Sequence, residues 1–212
     1  MEKISKKRVG MLLFPDIELL DFCGPYEVFS VFRFDEEKGS LEPSPFDIYL
    51  IAENKGTIKT RAGLEVVAEY SLADHPPFDI LVVPGGWGTR KEITNDKLIN
   101  WIRKIAQEVE LVTAVCTGSM LLGRAGLLVG KRATTHWQSL QWMKDEFPDT
   151  IVEDALHVVE DGNIITSAGI SAGIDMALKV VQKYYGVEIA RNMARYMEYR
   201  YTTDNERRIS HV

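Results

Sequence analysis

Short apolar runs recur along this chain with helix-period stretches between them, and that alternation constrains the fold more than any other feature. The runs are RVGMLLFP (8–15), FDIYLIA (46–52), FDILVVPGG (78–86), ELVTAV (110–115) and GNIITSAG (162–169). Short, uniformly apolar runs are what strands buried on both faces require, and the stretches between them have the period of helices that cover a sheet. GPYEVFSVFRF carries Pro25 where a first helical turn tolerates it, and NDKLINWIRKIAQEV sets Leu98, Trp101, Ile102 and Ile105 on one face. SLQWMKDEF and SAGIDMALKVVQKYYG continue the pattern, the latter closing on Gly186, a residue suited to a helix end. The expected fold is α/β, a mostly parallel sheet sandwiched by helices.

Two stretches depart from this layout. TIKTRAGLEVVAEY alternates around Ala62-Gly63, and LHVVEDGNIITS carries the turn signal Asp161-Gly162, so each is expected to make a short antiparallel β-hairpin excursion. No internal repeat, low-complexity stretch or Pro/Gly linker divides the chain. Its 212 residues are read as one domain spanning 1–212 with a core of about 9–186, ending in a frayed tail, TTDNERRISHV.

Composition removes several function classes. A formal charge of -6 argues against gripping a phosphate backbone, which needs a concentrated basic surface. Two cysteines, Cys23 and Cys116, are too few for a disulfide framework, and with His75, His136, His157 and His211 no Cys/His metal spacing appears. The run VGMLLF is too short for a signal-peptide core, and no segment approaches the roughly 18 apolar residues of a membrane span. The expected setting is reducing and cytoplasmic, with a small-molecule partner, no nucleic acid, no membrane and no metal.

In an open α/β sheet, ligands bind beyond the carboxyl ends of the strands, so residues directly after each apolar run carry the information. Cys116 follows LVTAV, with small residues Ala114 and Gly118 two positions to either side, as a crowded strand-to-helix elbow requires. A nucleophile there would sit at a helix N-terminus, where the dipole favours thiolate. Cysteine is also a common inert core residue, and that alternative stands beside the first. In VVPGGWGTRKE, Gly85, Gly86 and Gly88 follow another strand; the loop offers backbone N–H groups for an oxyanion, or is simply a turn that needs positive φ. Asp21, among Leu19, Leu20 and Phe22, is a carboxylate whose pKa would rise on desolvation toward acid/base use, or a cap for a helix starting at Gly24 to Glu27. His136 in TTHW is read as structural, with nothing to fix it near the sulfur.

Taken together, AVCTGSMLLGRAGLLVGKRATTHW, PGGWG and LLDFCGPYEVF resemble the ThiJ/PfpI superfamily within the class I glutamine amidotransferase-like fold, from about Val9 to Gly186. The resemblance implies a flavodoxin-like sheet with a nucleophile elbow, and a homodimer. VCTGS, GLLVGKRATTHW and GISAGIDMAL look most like isocyanide hydratases and the sensor domains of AraC-type regulators; a chain without room for their helix-turn-helix module favours the hydratase-like branch. On that resemblance Cys116 is the nucleophile, Asp21 its proton partner, and the amides of Gly86 and Thr117 face the reacting atoms. His136, Gly85 and Cys23 stand behind them, Cys23 either packed under the loop or able to respond to oxidation of Cys116. The implied reaction is hydration of an isocyanide to an N-substituted formamide, with no cofactor. Thr117 occupies the place where the superfamily's proposed peptidases carry histidine, which turns the chain away from proteolysis. The alternatives are a glyoxalase-like enzyme acting on an α-oxoaldehyde, whose relatives usually place glutamate after the first strand, and a non-catalytic metabolite or redox sensor.

Overall fold

A computed structural model describes residues 6–33, 44–202 and 204–209. The segment 32–45 lies for its greater part (34–43) outside the described residues.

Strand β1 (Lys7–Leu12) leads into helix α1 (Leu19–Val31), strand β2 (Phe46–Ala52) and a hairpin of β3 (Gly56–Lys59) and β4 (Glu65–Ala68). Strands β5 (Tyr70–Ser71) and β6 (Ile80–Val83) precede helices α2 (Thr89–Glu92) and α3 (Asp96–Ile105). Strand β7 (Leu111–Val115) runs into α4 (Gly118–Arg124), followed by β8 (Arg132–Ala133), α5 (Leu140–Glu146) and β9 (Ile151–Val152). The hairpin of β10 (Val158–Asp161) and β11 (Ile164–Ser167), then α6 (Ala172–Tyr185) and α7 (Val187–Tyr196), complete the order.

Seven strands form the central sheet in the order β10-β11-β7-β6-β1-β2-β5, parallel except for β10. Its middle strands β6 and β7 are wholly buried, which is why their sequences read as unbroken apolar runs rather than alternating ones. Helices α1 and α6 pack on each other with α7 against α6, while α3 packs on α4. The face expected for α3 is buried at Leu98, Trp101, Ile102 and Ile105, and Asn95 caps the helix by accepting from Leu98 N at 3.3 Å.

Two local expectations are corrected and a third is extended. Helix α1 starts at Leu19, not near Gly24, and Pro25 lies inside it. Burial of Phe22, Pro25, Val28 and Phe29 along one helical face outweighs the proline boundary, although Pro25 denies the Asp21 carbonyl its intrahelical donor. The antiparallel hairpin expected at Asp161-Gly162 is present, with residues 162 and 163 in its turn, and its first strand β10 forms an edge of the central sheet. Finally, residues 204–209 are not a frayed end. Asn205 bonds both main-chain groups of Val158, at 2.9 and 2.7 Å, and Arg207 N donates to Ala155 O at 2.7 Å.

Candidate active site

Strand β7 stops at Val115 and the chain turns through Cys116, whose φ of 56° lies in the left-handed region that a side chain rarely adopts. The surroundings hold it there. Cys116 N donates to the carbonyls of Ser167 and Ala168 at 3.2 and 3.1 Å, and its own carbonyl accepts from Ser119 Oγ at 2.9 Å and Thr135 Oγ1 at 3.0 Å. Beyond the turn, a Cβ on Gly118 would stand 2.1 Å from Val83 O. Only glycine lets α4 start this close to the neighbouring strand end, the crowding expected of an elbow.

Asp21 comes to the same point from α1. It is fully buried, Oδ2 accepts from Gly85 N at 2.9 Å, and the carboxyl meets the Cys116 thiol. Oδ1 is buried with no hydrogen-bond partner, leaving one oxygen for a proton. Asp21 does not cap α1: Glu18 holds the N-cap position and Asp21 lies within the helix. Burial pushes its carboxyl up to about 8, against the Gly85 N–H, which favours the ionised form; the nearby charge of Glu18 raises it further. The thiol is also pushed up rather than down, first by burial and then by the charge of Asp21. The N–H groups of Thr117 and Ile170 work the other way but do not prevail. The surroundings therefore work against the expected thiolate: desolvation outweighs the dipole of a helix start only seven residues long. Because the carboxyl has risen too, the thiol faces a base much stronger than an ordinary carboxylate.

The glycine loop forms the adjoining wall. Gly86 has φ 124° and pairs with Ile17, and a Cβ there would meet Glu18 N at 2.2 Å. Both readings of this loop have a place in it, the positive-φ turn and a backbone brought to the site. Gly86 N donates to Thr117 Oγ1 at 3.0 Å, and Thr89 Oγ1 donates to the same oxygen at 3.1 Å. The Gly86 amide is thus committed to the Thr117 hydroxyl.

His136 is half-buried. Its ring packs on Gly169, its Nδ1 accepts from Gln138 N at 3.3 Å, and its pKa is lowered by burial and by the charges of Arg207 and Arg90. Cys23 shares α1 with Asp21, but two residues on, about 200° around the helix, it leaves the Asp21 face. Both cysteines are free, and burial raises the Cys23 thiol as well. One contributor escaped the sequence reading: Ile170, just past β11, whose N–H reaches the Cys116 sulfur and whose φ is 51°. The rule of looking past each strand end would have reached it, but a backbone donor has no side-chain signature.

The family model described as "DJ-1/PfpI family" matches residues 7–183. Among curated proteins, the chain is 36% identical over 192 residues to the isonitrile hydratase of Pseudomonas putida, covering 91% of this chain and 78% of that one. It is 30% identical over 142 residues to the HTH-type transcriptional regulator CdhR of Pseudomonas aeruginosa, covering 67% of this chain and 42% of the regulator. Among solved structures, a ThiJ/PfpI family protein from Pseudomonas syringae superimposes with a TM-score of 0.81 at 28% identity, covering 94% of this chain and 78% of that one.

Proposed function

The chain belongs to the DJ-1/PfpI family, and we propose that it hydrates an isocyanide at Cys116, releasing an N-substituted formamide. One observation carries the reading: a buried thiol on a strained elbow against a buried carboxyl with a pKa raised to about 8, a pair built to pass one proton. The 36% identity to an isonitrile hydratase supports the choice of electrophile.

The steps balance with water as the sole co-reactant. As the sulfur attacks the terminal isocyanide carbon, ionised Asp21 takes the thiol proton and delivers it to that carbon, giving a thioimidate. Asp21 then takes a proton from water as its oxygen bonds the same carbon. The substrate nitrogen receives that proton, the carbon–sulfur bond breaks, and the sulfur leaves with the remaining hydroxyl proton as the formamide carbonyl forms. The amides of Thr117 and Gly86 are the donors proposed for the oxygen that develops charge in this second half.

The test is formamide release from a simple alkyl isocyanide, with Cys116→Ala beside the wild type. Turnover that vanishes in the variant is expected; product no faster than in the protein-free control overturns the reading. Methylglyoxal in parallel examines the glyoxalase alternative, against which Asp21 in place of glutamate already weighs. The sensor alternative draws on the likeness to the regulator CdhR. A thiol kept protonated by burial reacts slowly with peroxide, so that alternative requires Cys116 to oxidise faster than Cys23.

A further inference from the structure

A second cleft opens beside the elbow, on the far side of Ile170. It measures about 190 Å³, and its lining brings together Arg207, Arg208, His136, His157 and Ser171, with no carboxylate among the described residues that line it. In a chain of net charge -6 that is an uneven distribution. Ile170 joins the two places: its N–H reaches the Cys116 sulfur, and the residue itself lines this cleft.

The cation open to a ligand is Arg207. Arg208 is already paired with Asp175, Nη2 to Oδ1 at 2.6 Å. Arg207 spends three of its N–H groups on neutral oxygens: the Asp154 carbonyl at 2.7 Å, the Thr135 carbonyl at 3.1 Å and the Thr134 hydroxyl. The Asp154 carboxylate is close enough to be felt but bonds Lys144 at 3.1 Å, and no ion pair to Arg207 is present among the described residues. A half-buried guanidinium without a carboxylate partner has lost hydration that only an anion restores fully. Two further observations point to a ligand. His157, 6% exposed and among the residues lining the cleft, meets Asp175 Oδ2 through Nε2 at 3.1 Å and leaves Nδ1 buried with no partner. Ser171 stands exposed at the N-terminus of the 14-residue helix α6, its side chain making no cap bond.

We propose that this cleft binds a carboxylate group, held by Arg207 at the N-terminus of α6. The carboxylate has two conceivable sources: the acid tail of the molecule that reacts at Cys116, which would deepen the proposed function by naming its substrate class, or a separate small acid. The site itself stands independently of the hydratase reading.

The experiment compares isobutyrate with its neutral isostere isobutyramide by calorimetry at low ionic strength, on the full chain. The acid is expected to bind about tenfold or more tightly than the amide, an advantage that salt erodes. Arg207→Gln should remove it. Because Arg207 also anchors the C-terminal segment, Ser171→Asp serves as the second variant: aspartate is a good helix cap, so folding is kept, while its charge should cost the acid about tenfold. Equal binding of acid and amide, or acid binding untouched by Ser171→Asp, overturns the proposal. The source follows from the ratio of iodoacetate to iodoacetamide alkylation at Cys116, taken against the same ratio at Cys23. A raised ratio assigns the carboxylate to the reacting molecule, an equal one to a separate acid, and neither measurement needs turnover.

Discussion

Asp21 and Cys116 meet inside the protein, a carboxyl that keeps its proton up to about pH 8 against a thiol that burial also keeps protonated. The two titrate as a unit, and the form that can start the reaction has one proton between them. The pH profile of kcat/KM is therefore expected to rise through an apparent pKa near 8, as the first proton leaves the pair, and Asp21→Asn should abolish that rising limb. A profile flat between pH 6 and about 9 in the wild type would contradict the pairing.

Asp21→Asn separates chemistry from folding. The asparagine oxygen can still accept from Gly85 N, so the loop stays in place, while proton transfer is lost and kcat should fall about 100-fold or more. The folded-state pKa of Asp21 lies above the ordinary aspartate value of 3.8, so its contribution to stability is full below that value and is lost as pH rises through about 8. The variant should be increasingly more stable than the wild type across that window, by up to about 1.4 kcal/mol per pH unit, as thermal melts at several pH values would reveal.

At position 116 the usual ranking of alanine over glycine should invert. With φ at 56°, Cys116→Ala keeps the backbone strain and Cys116→Gly releases it, so the glycine variant should be the more stable by about 1 kcal/mol. Urea denaturation of the two inactive proteins measures the difference directly.

Gly118→Ala should be far worse than a helix-favouring substitution ordinarily is. Its Cβ would lie 2.1 Å from Val83 O and 2.8 Å from Pro84 O, backbone atoms that cannot swing aside. A loss of about 1–3 kcal/mol, with Cys116 displaced and activity reduced, is expected in melts and kinetics.

The C-terminal segment hangs on Asp175, which accepts from Tyr199 at 2.7 Å, from Arg208 at 2.6 Å and from His157 at 3.1 Å. Although burial opposes it, these donors hold its carboxyl below the ordinary range, so its stabilisation is present above pH 4 or so and is lost as pH falls through the depressed value. Asp175→Asn should cost about 2 kcal/mol at neutral pH and loosen residues 204–209 to hydrogen exchange, and the gap to the wild type should narrow in acid.

What could be read from the sequence followed the reach of its signals. The run FDIYLIA marks β2 residue for residue, and the alternation around Ala62-Gly63 marks the β3–β4 hairpin, because the period of 2 and the buried run are written locally. Looking past strand ends singled out Cys116, Asp21 and the glycine loop, the family resemblance added Thr117, and the structure brings them together. The start of α1 was misread because Pro25 is a strong local signal and the burial that overrides it is not local. The state of the thiol was misread for a related reason: a helix start is visible in sequence, whereas exclusion of water from Cys116 belongs to the packed interior. Residues 204–209 look solvated by composition, yet Thr134, Asp154 and Asp175, which anchor them, lie far away along the chain.

The pairing of Asn205 with Val158 also limits how copies of this protein can associate. It occupies the outer edge of β10 at one end of the sheet, and β5 at the other end is only two residues long. At the β10 end the outward-facing amide and carbonyl of Val158 are therefore already taken, so another chain cannot zip on from there. Growth by strand addition, one route to swapped dimers and fibrils, is obstructed at that margin by the protein's own C-terminal segment, whereas β2, beyond its two-residue pairing with β5, keeps Phe46–Leu50 without an outer partner strand among the described residues.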